Sequence, residues 1–164
     1  MCLALVGAGG MAVQSSKRRA ATVGIAQLVE VAEAQADVHE RAGRPDEAAR
    51  VLDDALRAPW PKTADRDVAI ALRSALLGRW ARLRLDDPNL SDDERNRVRD
   101  RIVAHLDDAS ELHEDAFTAR LLAILGEIYE AEGRDDEALA AYERALEINR
   151  TLLERLLEEG GDAP

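Results

Sequence analysis

The chain has 164 residues, a formal net charge of −11 and a pI of about 4.8. So acidic a chain argues against nucleic acid as a main partner, because phosphate binding needs clustered Lys and Arg, and it argues equally against an anionic membrane surface. Only 3% of the residues are aromatic, whereas 46% are hydrophobic and 34% are charged, a balance typical of all-helical proteins rich in Ala, Leu, Glu and Arg.

The first 16 residues, MCLALVGAGGMAVQSS, are apolar, glycine-rich and uncharged. We expect residues 1–18 to form a disordered tail or the remnant of a membrane anchor, although the run of about 13 apolar residues is shorter than the roughly 20 needed to span a bilayer. Gly7–Ala12 fits the dinucleotide-binding pattern G-x-G-x-x-A, but that pattern needs a βαβ unit around it, and the chain beyond is helical. A signal peptide would carry positive charge before the apolar run, whereas Lys17, Arg18 and Arg19 follow it.

The segment after this tail predicts a helix from about Ala20 to Ala42, with a second helix after Gly43. The apolar face of the first of these helices comprises Ile25, Leu28, Val29, Ala32, Ala36 and His39. The sequence GRPDEA at 43–48 returns as GRDDEA at 133–138, which indicates internal repetition.

The middle of the chain is longer than regular repetition allows. The two copies lie 90 residues apart (133 − 43), and two periods of about 34 residues would account for only about 68, leaving about 22 extra residues. A turn at 58–63 precedes a helix that we expect to run from an N-cap at Thr63 to about Leu85, with Val68 on its apolar side. Ser91 and Glu94 have the spacing of a capping box at the start of the next helix.

The last hairpin has the most specific spacing. Its two apolar stripes are Leu122, Leu125 and Tyr129, then Ala138, Tyr142 and Ala145. Gly126 is small where the two helices would approach closely, and Gly133 is a natural helix C-cap. The second helix is expected to continue through its leucines to residues 160–161.

These residues resemble a tetratricopeptide repeat, since Leu122, Leu125-Gly126 and Tyr129 match its W-x₂-L-G-x₂-Y pattern, and Ala138 and Tyr142 match A-x₃-F. The resemblance is clear at 119–152, partial at 29–62 and degenerate in between. It implies an all-α fold, a short α-solenoid of about three helix-turn-helix hairpins with a long irregular middle hairpin and an extended C-terminal helix. We expect this domain at 19–159, followed by a disordered tail at 160–164.

The resemblance also implies a function: a non-catalytic module that binds a peptide segment or partner protein in a concave groove lined by the first helix of each hairpin. Carried over by position, the partner-binding residues are Glu33, Asp37, Glu40, Arg79, Arg82, Arg120, Ile124, Glu127 and Glu130. A clamp for a C-terminal carboxylate needs basic residues here, and most of these positions are acidic or apolar. The acidic first rim favours a basic or mixed-charge ligand.

No constellation of residues predicts chemistry. The single cysteine, Cys2, excludes an internal disulfide and a cysteine-rich zinc site. His39, His105 and His113 are too scattered for a zinc site, and no nucleophile elbow or P-loop is present in the sequence. We therefore expect no catalytic residue, no metal and no cofactor.

Two further hypotheses stay open. The leucine-rich C-terminal helix (Leu146, Leu153, Leu156, Leu157) and the long middle hairpin would suit a homodimerising assembly unit of a larger or membrane-anchored protein. An enzyme or ligand sensor would use His39 with Glu40 or His105 with Asp108. The expected location is cytoplasmic, with contact to a membrane only through the N-terminal segment.

Overall fold

The computed structural model describes residues 7–108 and 114–161, and within these ranges the chain is helical and contains no strand. The six helices described are α1 (Gly7–Arg41), α2 (Pro45–Arg57), α3 (Arg66–Leu85), α4 (Asp92–Asp108), α5 (Ala116–Ala131) and α6 (Asp135–Gly161). The all-α prediction is confirmed. None of these helices is long and apolar enough to cross a lipid bilayer.

Helix α1 extends further toward the N-terminus than the expected start near Ala20. It begins at Gly7, so residues 7–18, which we expected in the tail, continue it. Residues 1–6 and 162–164 lie outside the described residues. The division into a tail, a domain and a C-terminal tail therefore stays a prediction.

The turns of the first and last hairpins share one backbone geometry. Gly43 and Gly133 have φ values of 69° and 70°, in the left-handed region that favours glycine. Arg44 N donates to the His39 carbonyl oxygen at 2.9 Å, and Arg134 N donates to that of Tyr129 at the same distance. The internal repetition seen in the sequence is thus a repetition of structure, and short turns of this kind fold α1 onto α2 and α5 onto α6.

The last hairpin is closed by a close approach at Gly126. A Cβ atom at this position would lie only 2.5 Å from Cε1 of the Tyr142 ring, so the ring rests directly on the glycine backbone. Ala138 and Ala145 of α6 are buried on the same side of the hairpin. The prediction that Gly126 is small because two helices approach closely is confirmed.

The main core is built around α3, which packs against α1, α2, α4 and α5. Completely buried side chains here include Leu52, Leu76, Ile102, Leu121 and Ile124. A smaller cluster of Ala119, Ala145 and Ile148 joins α5 to α6. Because α3 is covered on several sides, it holds the first hairpin and the last hairpin in one structure.

The middle hairpin is irregular, as predicted, with helices of 20 and 17 residues, whereas the first hairpin pairs 35 residues with 13 and the last pairs 16 with 27. Its N-cap differs from the prediction, since the Asp65 carboxylate and not Thr63 accepts hydrogen bonds from the first free backbone N–H groups, those of Asp67 and Val68. Val68 consequently lies in the first turn and is 40% exposed. The capping box is confirmed, because Glu94 N donates to Ser91 Oγ and Ser91 N donates back to the Glu94 carboxylate.

The close approach at Gly126 gives a testable contrast between glycines. Gly126→Ala gains about 1 kcal/mol of helix propensity, but displacing the Tyr142 ring costs about 1–3 kcal/mol. We expect a net loss of unfolding free energy of about 1 kcal/mol, measured by urea denaturation.

Gly24→Ala is the matched control, because Gly24 lies within α1 and a Cβ atom there would meet nothing within 4 Å. This variant should gain up to about 1 kcal/mol. Equal stabilisation by both substitutions would contradict the close packing of Gly126 against Tyr142.

Candidate functional site

The first helices of the three hairpins, α1, α3 and α5, lie side by side, because α3 packs against both of the others. We name their shared exposed surface the first-helix face. The predicted partner-binding residues on these helices are Glu33, Asp37 and Glu40 on α1, Arg79 and Arg82 on α3, and Arg120, Ile124, Glu127 and Glu130 on α5. Ile124 is a core residue with 0% exposure, since it points inward from α5, and it offers no surface to a ligand.

Arg79 joins α3 to α1 on this face. Its guanidinium forms ion pairs with the carboxylates of Asp37 and Glu40, and its Nη1 donates to the Glu33 carbonyl oxygen at 3.3 Å. Partial burial of the guanidinium opposes its charge, but the hydrogen bonds to Glu40 and Asp37 outweigh burial and raise the pKa of Arg79. Two of the acidic side chains expected to meet a ligand are therefore already paired.

Arg82 joins α3 to α5 one turn further along. It donates two parallel hydrogen bonds to Glu127, at 2.6 and 2.8 Å, in the fork geometry that guanidinium and carboxylate groups favour. This pairing raises the pKa of Arg82. The two side chains remain 38% and 45% exposed, so water and other solutes reach them.

The remaining charges on the face are Glu33, Arg120 and Glu130. Within the described part of the chain, the Glu33 carboxylate and the Arg120 guanidinium make no ion pair or side-chain hydrogen bond. Glu130 accepts a hydrogen bond from the Tyr142 hydroxyl at 3.1 Å. Most of the residues chosen by repeat spacing lie on one face of the structure. The spacing did not reveal which of them form ion pairs with each other.

A concave region that sequence reasoning missed lies between α2 and α4. This α2–α4 cleft has a volume of about 710 Å³ and is floored by Trp80, Ala49 and Val98. Its walls carry Asp46, Arg50, Asp53, Asp54 and Arg57 from α2, with Arg84 from α3 and Glu94, Arg97 and Arg101 from α4. The sequence signals this cleft through the surplus length of the middle hairpin, but that length does not indicate where a cleft forms.

Ion pairs cross the cleft and fix its width. Arg101 donates to Asp53 at 2.5 Å and lies over the Trp80 ring, with Cζ 4.6 Å from the centroid. Arg84 bridges to Asp46 at 3.3 Å and to Glu94 at 2.7 Å. Five arginines against four carboxylates make the lining slightly basic in a chain of net charge −11.

The structure describes the surroundings of two of the three histidines, His105 and His39. His105 Nε2 lies 2.8 Å from Oγ of Ser74, which is 2% exposed in the core. Burial and the nearby charge of Arg73 lower the pKa of His105. The Nδ1 atom of His39 is buried without a hydrogen-bond partner among the described residues, and His113 lies outside them. No group of three or more His, Cys, Asp or Glu side chains in the described ranges is placed to hold a metal ion.

Comparison with protein families gives a match, which lies in the last hairpin. Residues 121–156 match the family model of the tetratricopeptide repeat. The match covers most of α5 and α6, the hairpin closed by Gly126 and Tyr142, and it supports the resemblance found in the sequence. No curated protein and no solved structure matches the chain.

Tetratricopeptide repeats are typically non-catalytic protein-interaction modules, and the match suggests this general role for the chain. The partial repeat at 29–62 and the degenerate middle unit lie outside the matched segment, although the turn at Gly43 has the geometry of the turn at Gly133.

The cleft yields a prediction about Arg101. Arg101→Met removes an ion pair to a carboxylate that is only 14% exposed and a contact with the Trp80 ring, so we expect a loss of about 1 kcal/mol of unfolding free energy. Arg97→Met is the control, since Arg97 lines the same cleft and makes no ion pair or ring contact with a described residue beyond a longer-range attraction to Glu94, and it should change stability by less than about 0.5 kcal/mol. Equal effects in urea unfolding would contradict the bridging role of Arg101.

His105 yields a prediction about pH. Because its folded-state pKa lies below the ordinary value of 6.5, its contribution to stability is fully present above pH 6.5 and is lost as the pH falls through the folded-state pKa. The unfolding free energy of the wild type should therefore fall more steeply from neutral to mildly acidic pH than that of His105→Gln. Parallel pH profiles from urea unfolding of the two proteins would show that His105 is not perturbed.

Proposed function

We propose that this chain is a protein-interaction module that holds a mixed-charge peptide segment of a partner protein against the first-helix face. The observation that carries the proposal is the row of partly exposed ion pairs joining α1, α3 and α5 through Arg79 and Arg82. This row supports a ligand that presents both acidic and basic side chains, because both signs of charge alternate across the three helices.

The charges of the face are held in place yet remain exchangeable. Each arginine is oriented by carboxylates on a neighbouring helix, so little side-chain freedom is left to lose on binding. Exposed ion pairs contribute only about 0–1 kcal/mol each, so a ligand carboxylate or ammonium group can replace one partner at small cost. Glu33 and Arg120, which have no partner among the described residues, add one free charge of each sign.

A purely basic ligand fits the face less well than a mixed one. Asp37, Glu40 and Glu127 pair with two arginines, which offset two of their three negative charges, so the acidic rim expected from the sequence attracts cations less than its residue count indicates. A mixed-charge segment would also favour correct register, since like charges placed opposite each other are strongly disfavoured in interfaces.

Site-directed photo-crosslinking tests the location of the ligand, and it suits a chain with only two lysines, Lys17 and Lys62. A photoreactive amino acid is introduced separately at the positions of Glu33, Arg120, Arg97 and Lys62, and the protein is irradiated in its native cell. We expect one partner segment to be captured from the positions of Glu33 and Arg120. Lys62, in the turn before α3, is the matched control and should capture nothing specific.

Capture from Arg97 alone would place the ligand in the α2–α4 cleft and overturn the first-helix face as the binding surface. The captured segment, made as a synthetic peptide, then tests the charges directly. Exchanging the ion pair in the double variant Arg82→Glu/Glu127→Arg preserves the link between α3 and α5 but reverses its polarity. Peptide affinity should fall about tenfold, about 1.4 kcal/mol, while the unfolding midpoint stays near that of the wild type. Unchanged peptide affinity would show that Arg82 and Glu127 do not contribute to ligand recognition.

A further inference from the structure

Two long apolar stripes lie exposed on the first and last helices of the described chain. On α1 the stripe consists of Val23, Val31 and Val38, which are 48%, 55% and 56% exposed. On α6 it consists of Leu139, Leu146, Leu153 and Leu157, which are 57–68% exposed. Scattered surface hydrophobics need no explanation, but aligned rows of large apolar side chains mark contact surfaces.

The position of the stripes explains why they are uncovered. The buried residues of α1 face α2 and α3, those of α6 face α5, and no contact between α1 and α6 is found among the described residues. Inner helices of a helical stack are covered on both sides, whereas the first and last are covered on one. Each of these stripes is therefore the surface where a further helix of the stack would lie.

The two stripes match each other in register. Leu139, Leu146 and Leu153 recur every seven residues, which is close to two helical turns. When α6 lies antiparallel to α1 with Leu146 opposite Val31, Leu139 falls opposite Val38, because both are seven residues away. Leu153 then falls beside Val23.

The charges at the ends of the stripes favour the same antiparallel arrangement. Lys17 and Arg19 lie at the N-terminal end of the α1 stripe, and Arg41 lies at its C-terminal end. On α6 the stripe begins beside Asp135 and Asp136 and ends among Glu154, Arg155, Glu158 and Glu159, where three carboxylates outnumber one guanidinium. Antiparallel packing of α6 on α1 brings acidic residues to basic residues at both ends.

A symmetric pair of α6 helices lacks this complementarity. Two antiparallel α6 helices would set Asp135 and Asp136 of one against Glu154 and Glu158 of the other, and like charges in contact are destabilising. The symmetric dimer through the C-terminal helix, one of the hypotheses from the sequence, is therefore disfavoured by the charges at the helix ends.

We propose that α6 of one molecule packs antiparallel against α1 of a second copy, so that copies join head to tail. The two contacting surfaces are different, which makes the interface heterologous and leaves each pair with one free α1 stripe and one free α6 stripe. The chain therefore continues its own helical stack from molecule to molecule.

The test uses two variants of the full chain, Val31→Glu and Leu146→Glu, which place a charge at the centre of one stripe each. Both positions are exposed, so the fold should persist, and far-UV circular dichroism checks it. Sedimentation equilibrium of the wild type over about a hundredfold range of concentration should show a mass that rises past that of a dimer. Each variant alone should sediment as a monomer, and Leu146→Met should associate like the wild type.

Mixing the two variants separates the head-to-tail arrangement from a symmetric one. Val31→Glu keeps an intact α6 stripe and Leu146→Glu keeps an intact α1 stripe, so an equimolar mixture should form a dimer with one copy of each. A wild type that stays monomeric, a mixture that stays monomeric, or a Val31→Glu variant that dimerises on its own would each overturn the proposal.

Discussion

The burial of α3 is the constraint on which the whole structure depends. Among the described residues, α3 is the one helix whose backbone packs against both α1–α2 and α5. Its buried face includes Leu76, Leu77 and Ala81, while Arg79 and Arg82 project from its other side. The same helix thus supplies the hydrophobic link between the hairpins and the arginines that tie the first-helix face together. A substitution that loosened α3 would disturb packing and surface charge at the same time.

Local features of the sequence predicted much of the fold. The capping box at Ser91, the left-handed glycine at Gly133 and the small residue at Gly126 each act within a few residues of chain, so their spacing is informative without a structure. The resemblance to a repeat family, itself based on local spacing, predicted that α1, α3 and α5 lie side by side. The start of α3 was wrong by two positions because Asp65 and Thr63 are both good N-caps, and only the geometry of the turn decides between them.

Contacts between distant residues could not be predicted in the same way. Arg79 and Asp37 are 42 residues apart, and their pairing depends on how α3 rotates against α1. Ile124 belongs to the core because α5 turns it toward the other helices, a rotation that repeat position alone did not reveal. The α2–α4 cleft depends on the spacing of two helices from different hairpins, which no local pattern of the chain records. Repeat position therefore indicated which residues share the first-helix face, Ile124 excepted, but not how they pair, and partner binding by this face stays a prediction.

The unequal lengths of α5 and α6 have a consequence for motion. At 1.5 Å per residue, α5 is about 24 Å long and α6 is about 40 Å long. The last turns of α6 therefore extend beyond the end of α5. Residues 153–159 are exposed throughout, and an exposed ion pair at 4.0 Å joins Arg155 among them to Glu114. A short helical segment with so little tertiary packing is only marginally stable in water. The backbone hydrogen bonds of this overhang should therefore open independently of the core. The amide hydrogens of this overhang should exchange fast when it is free and slowly when another helix or a partner packs against it.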